Sequence, residues 1–141
     1  MTAFADSSAL VKLYADEEDA DLVRRHDVLV ISQLARVEVP SAIWRKHRLG
    51  ELSAEAADVL ARSFAADFAG GDARSFLVVA VTPAVLDDAA RLVSRHPLRA
   101  FDAVQLASAC AAHRAAADGL PFLCFDHRVR DAAAAEGLAL A

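Results

Sequence analysis

The chain has 141 residues, 56% of them hydrophobic, and a net charge of −5. That length suits one domain spanning residues 1–141 with an ordinary core, and the apolar content excludes intrinsic disorder. The longest apolar stretch, Phe76 to Leu86, breaks at Thr82-Pro83, short of the roughly 20 residues a membrane span needs, and the negative charge counts against a sequence-independent nucleic-acid binder.

Thr2 to Ala5 is a short apolar run that reads as a strand ending at Asp6. Ser7 to Tyr14 places Leu10, Val11 and Tyr14 on one helical face. Ser7 and Ser8 could cap that helix, which would leave Asp6 free for other work. Asp16 to His26 suggests a second helix, acidic at its start and basic at its end. Val28 to Ile31 is a buried strand, and Ser32 is placed to cap a helix that stops at Gly50 and carries Pro40 inside it. Ser53 caps a further helix reaching Gly70-Gly71.

Phe76 to Val81 is the third strand, followed by a Thr82 cap, a proline at the first helical position and a helix to Arg95. Phe101 to about Asp118 is helical, closed by Gly119 and Pro121. Phe122 to Phe125 is the fourth strand, His127 to Glu136 the last helix, and Leu138 to Leu140 a short edge strand. Strands alternating with helices predict a parallel α/β sheet covered on both faces, with a ligand site beyond the carboxyl ends of the strands.

Four acids do not fit a solvated surface. Asp6 and Asp126 directly follow the first and fourth strands, where the simpler reading of each is a helix cap. Glu38 lies between Leu34 and Ala42 on a helix that looks apolar around most of its circumference, so its carboxylate should be largely buried. Its simpler reading is an ion pair with Arg45. Asp102 stands in the first turn of its helix, where the dipole favours an acid, but its face continues through Leu106, Ala109 and Cys110. If the four converge, their repulsion must be relieved by protons or cations, and oxygen ligands suit Mg²⁺ or Mn²⁺. Such an ion can bind a phosphate, activate water and stabilise a leaving oxygen.

Arg24-Arg25-His26, Arg45 to Arg48, and Arg95-His96 with Arg99 are local basic clusters, each explicable as a solvated helix end. His127 beside Asp126 reads as a surface histidine before it reads as a proton donor. Met1 to Asp6 has no basic segment followed by an apolar run, and Cys110 and Cys124 form no disulfide framework; both point to a cytoplasmic, reducing setting.

The chain resembles a PIN domain, and more narrowly a VapC-type toxin ribonuclease, over nearly its whole length. Phe4-Ala5-Asp6-Ser7-Ser8-Ala9-Leu10-Val11-Lys12-Leu13-Tyr14 is similar to the family's first motif, and Arg36-Val37-Glu38-Val39-Pro40-Ser41-Ala42 to its second. Leu98 to Ala109, containing Asp102, is similar to the third, and Phe125-Asp126 with Ala132-Ala133 and Gly137-Leu138 resembles the last. The resemblance implies a three-layer fold with a five-stranded parallel sheet in the order 3-2-1-4-5. It also implies a Mg²⁺-dependent endoribonuclease whose metal ligands and catalytic acids are Asp6, Glu38, Asp102 and Asp126, with products bearing a 5′-phosphate and a 3′-hydroxyl. Ser8 would support the metal shell, and Arg45 and Arg99 would hold the RNA backbone. A VapB-type antitoxin inserting basic or aromatic side chains, and a homodimer, follow from the same resemblance. Two alternatives stay open: a non-catalytic interaction module on the same fold, and a phosphoacceptor domain of the receiver or dehalogenase type. The latter wants an Asp-x-Asp and a later lysine; here Ser7-Ser8 follow Asp6, and the only lysines are Lys12 and Lys46.

Overall fold

Apolar runs with β-branched residues form the strands, and alternation of their side chains builds a separate core on each face of the sheet. The computed structural model describes residues 1–71 and 74–141. Strands β1 (Thr2–Ala5), β2 (Val28–Ser32), β3 (Phe76–Val79) and β4 (Phe122–Leu123) pair in parallel in the order β3-β2-β1-β4. The helices are α1 (Ser7–Ala15), α2 (Ala20–Arg24), α3 (Ala35–Arg48), α4 (Ala54–Phe68), α5 (Pro83–Arg95), α6 (Ala100–Ala115) and α7 (His127–Ala135).

Phe4, Val30 and Phe122 point to one face, where they pack with α5, α6 and α7 through Val85, Leu92, Leu106 and Val129. Ala3, Ala5, Leu29, Ile31 and Leu123 point to the other face, against α1 to α4, with Leu10, Val23, Ile43 and Phe64. Each large apolar side chain buried here contributes about 1.5–3 kcal/mol relative to exposure. The small residues of β1 let α1 approach the sheet closely, which brings the α1 amino terminus to the carboxyl edge.

The expected five-stranded sheet is corrected to four strands. The fifth position is held by one parallel bridge between Phe122 and Leu140, fixed by the Phe122 amide on the Ala139 carbonyl (2.8 Å) and the Ala141 amide on the Phe122 carbonyl (3.1 Å). β4 itself stops at Leu123, and just beyond it the Cys124 thiol accepts the Asp126 amide at 3.4 Å. The third strand likewise ends at Val79, with Leu77 and Val78 exposed at the sheet edge, so it lacks the double cover its composition suggests.

The helix expected over Asp16–His26 contracts to Ala20–Arg24. Asp16 and Asp19 both adopt left-handed backbone (φ 51° and 69°), a conformation aspartate tolerates better than most residues, and the chain between them is a turn. Ser32 does not cap α3 from outside the sheet. It is the buried last residue of β2, and its Oγ accepts from the Leu34 amide at 3.1 Å and from Ser108 Oγ at 3.2 Å. Pro40 sits within continuous α3, where the carbonyl it orphans belongs to the exposed Arg36. Among the described residues no helix is long and apolar enough to cross a membrane.

On the α1–α4 side, the Tyr14 hydroxyl donates to Oδ2 of the buried Asp67 at 2.5 Å. Burial and this carboxylate push the phenol's pKa far above its usual range. Tyr14→Phe strands the carboxylate without its donor and should cost about 1–3 kcal/mol of stability in urea unfolding. Asp67→Asn, which removes the charge and keeps an acceptor, should cost less.

Candidate active site

The carboxyl edge of a parallel sheet collects whatever follows each strand. Asp6 follows β1, Asp126 is the third residue past the end of β4, Glu38 sits in the first turn of the helix after β2, and Asp102 in the first turn of α6. All four line one cleft of about 730 Å³. Ser8, Arg45 and Arg99 line it too, as do Ser7, Lys12, Lys46 and Gln105.

Asp6 is 5% exposed and serves as the N-cap of α1. Its Oδ1 accepts from the Ala9 amide at 3.1 Å and from Ser8 Oγ at 2.6 Å. The capping role expected of Ser7 or Ser8 therefore falls to Asp6, because its residue is the one with extended backbone at the helix start. Ser8 Oγ in turn accepts the Phe125 amide at 3.0 Å, tying the ends of β1 and β4 together. Burial pushes the Asp6 carboxyl up to about 6; hydrogen bonds from Cys124, Ser8 and Ala9 oppose the rise, and the charge of Glu38 adds to it. Burial also raises the Cys124 thiol, helped by the charge of Asp6, so this sulfur stays a neutral packing group.

Asp126 caps α7, its Oδ1 accepting from the Arg128 and Val129 amides at 3.0 and 3.4 Å. The capping readings of Asp6 and Asp126 thus hold alongside their placement in the cleft; each cap occupies Oδ1.

Glu38 is half-buried rather than largely buried, because α3 is apolar only on the stripe Ala35, Val39 and Ile43, while Val37 is exposed. Its Oε1 accepts from Ser7 Oγ at 3.1 Å and from Gln105 Nε2 at 2.8 Å. The alternative ion pair with Arg45 does not form, and Arg45 makes no ion pair among the described residues. Asp102, with its side chain 25% exposed, pairs with Arg99 (Nε to Oδ2, 3.3 Å). Arg99 is thereby engaged with an acid of the cleft instead of standing free. Lys12 and Lys46 both pair with Glu17, and Lys46 also reaches Glu51 at 3.4 Å. His127 is exposed and lies outside the cleft lining.

Among the described residues, no three of His, Cys, Asp and Glu stand close enough together to form a ready ligand set for a metal ion. The expected convergence takes the form of a shared cleft lined by all four acids. Each acid has a local partner: amides and Ser8 for Asp6, Gln105 and Ser7 for Glu38, Arg99 for Asp102, and helix amides for Asp126. Sequence reasoning missed Gln105 and Ser7. Gln105 could have been found as the one amide in the stretch Ala103–Ala109, one turn after Asp102 on the same helix.

No protein-family model and no curated protein matches the sequence. Among solved structures, the chain is similar to a toxin–antitoxin complex from Klebsiella pneumoniae, with a TM-score of 0.56 and 17% identity over 88% of this chain and 86% of that one. It is also similar to the crystal structure of a protein from Pyrobaculum aerophilum, with a TM-score of 0.61 and 24% identity over 94% of this chain and 79% of that one. At these identities the likeness establishes a shared fold.

The raised Asp6 carboxyl has a signed consequence for stability. Its folded-state pKa, about 6, exceeds the ordinary 3.8, so the folded protein holds this proton more tightly than the unfolded chain. The corresponding stability is fully present below pH 3.8 and is lost as pH rises through 6. In EDTA, Asp6→Asn should therefore be more stable than the parent by about 1–3 kcal/mol at pH 7.5, with the difference vanishing near pH 4. Urea unfolding at both pH values checks this.

Proposed function

We propose that the chain is a divalent-cation-dependent endoribonuclease of the PIN, VapC-like type and the toxin of a toxin–antitoxin pair. One observation carries this reading: acids from four separate elements, far apart in sequence, line the same cleft at the carboxyl edge of the sheet. The likeness in fold to a toxin–antitoxin complex supports it.

The donor set fits Mg²⁺ or Mn²⁺. It consists of carboxylate oxygens, and burial disfavours the charged form of the most enclosed of them, Asp6, which a bound cation would offset. Asp6 and Asp102 would be the main ligands, with Glu38 and Asp126 ligating directly or through water. When bound, the ion supplies counter-charge to the acids and Lewis acidity to a phosphodiester.

The chain's own groups have distinct tasks. Asp6 is immobilised by its cap and by Ser8, so it presents a fixed oxygen to the cleft. Among the described residues the Oε2 of Glu38 takes no hydrogen bond, and it is the acceptor for a proton from the attacking water. Arg45, which makes no ion pair among the described residues, is the cleft cation that would meet an RNA phosphate; Arg99 can do so on releasing Asp102. The same reading carries an antitoxin whose basic or aromatic side chains cover the cleft, and a homodimer.

A non-catalytic binding module on this fold draws support from the absence, among the described residues, of a ready ligand set. RNA cleavage assays separate the two readings. The purified chain should cut RNA in Mg²⁺, with EDTA stopping it and Mn²⁺ restoring it. Asp6→Asn should reduce cleavage to background while circular dichroism stays unchanged, and Asp126→Asn should lose about 10–100-fold as an outer support. Equal cleavage by parent and Asp6→Asn in Mg²⁺ would refute the assignment.

A further inference from the structure

Gln105 is chemically out of place. It lies within Ala103–Ala109, the buried stretch of α6, and is 3% exposed. Its Nε2 donates to two acceptors, Glu38 Oε1 at 2.8 Å and Ser7 Oγ at 2.9 Å, while Ser7 Oγ itself donates to Glu38 Oε1 at 3.1 Å. The three side chains close a triangle that joins α6, α1 and α3. Its other end is unsatisfied: Oε1 is buried and has no hydrogen-bond partner among the described residues.

A buried acceptor without a donor is costly, and an apolar residue of the same length would avoid that cost. Turning the amide over would not help. It would set Oε1 against the carboxylate of Glu38, two acceptors face to face. The negative charge of Glu38 therefore dictates which way the amide points. Both bonds to Glu38 fall on Oε1, and Oε2 of this cleft-lining residue accepts none among the described residues.

We infer that Gln105 is a positioning residue for the carboxylate site, fixing the rotamer of Glu38 so that Oε2 meets the cation or its water. The inference rests on the carboxylate reading of the cleft. It also links two acids mechanically, because Gln105 is one helical turn from Asp102 on the same element. A support that pre-orients a ligand acts on cation affinity, and groups of this kind typically contribute about 10–100-fold.

The test compares the parent with Gln105→Met, which keeps the length and loses the donor, and with Gln105→His, whose Nε2 is the same number of bonds from Cα. Three quantities are measured: the melting temperature in EDTA, Mn²⁺ affinity by calorimetry without RNA, and RNA cleavage across a Mg²⁺ series. Gln105→Met should melt at or above the parent temperature and bind Mn²⁺ about 10–100-fold more weakly. Its cleavage should need proportionately more Mg²⁺ but approach the parent rate at saturation, and Gln105→His should recover most of the affinity. Parent-like Mn²⁺ affinity in Gln105→Met would overturn the positioning role and leave the carboxylate reading standing; so would a fall in melting temperature with affinity unchanged. A parent protein that binds neither ion and cuts no RNA would overturn the carboxylate reading, and this inference with it.

Discussion

The arrangement at the carboxyl edge depends on a carboxylate that the fold buries at the end of a central strand. Asp6 is where β1 stops and α1 starts, and its Oδ1 organises that transition through the Ala9 amide and Ser8. Desolvation works against its charge, and only short-range hydrogen bonds and the amino terminus of α1 work for it. Ser8 passes the constraint on to the segment after β4 through the Phe125 amide, so the ends of the neighbouring strands β1 and β4 are tied together. The negative charge of Glu38 nearby adds to the tension rather than easing it. The raised carboxyl at this edge therefore follows from where the backbone ends a strand and starts a helix.

Much of this was legible in the sequence, for identifiable reasons. The alternation of apolar strands with capped helices marked the parallel sheet, and Thr82-Pro83 marked the start of α5 to the residue. The four acids could be picked out because each follows a strand or sits in the first turn of a helix, positions that a parallel sheet gathers at one edge. Burial was harder to read. Glu38 sits in apolar company along the chain, yet only one stripe of α3 faces the core, so neighbours in sequence overstated its enclosure. Chain-end pairing was also hard to read: whether Leu138–Leu140 forms a strand or a single bridge depends on how far β4 runs, and β4 is only two residues long. The turn at Asp16 and Asp19 was hidden because acids at a helix start and acids in left-handed turns look alike in composition. Gln105 was missed since a lone amide in an alanine-rich helix carries no pattern.

The cleft is electrostatically divided. Near the sheet it holds Asp6, Glu38, Asp102 and Asp126; toward the carboxyl end of α3 it holds Arg45 and Lys46. Lys12 and Lys46 are largely spent on Glu17, which fastens the α1–α2 turn to α3, so fewer positive charges stay uncommitted than the sequence clusters suggest. The proposed function is compatible with a net charge of −5: a divalent ion would neutralise the acids, and Arg45, which makes no ion pair among the described residues, would be left to orient a backbone.

Helix α6 has a consequence beyond the residues that line the cleft. From Ala103 to Ala109 every residue is buried, since the helix is wedged between the sheet on one side and α5 and α7 on the others. Three of these seven residues are alanines, and close packing around them leaves little slack to absorb extra volume. A single added methyl at Ala107 or Ala109 would be accommodated by shifting the whole rod along its axis or sideways. Asp102 and Gln105 ride on that rod. Mutational tolerance should therefore be uneven: the outer surface of α4 can drift freely, whereas small volume changes deep in α6, remote from any ligand, would surface first as a misaligned cleft in a protein that still folds.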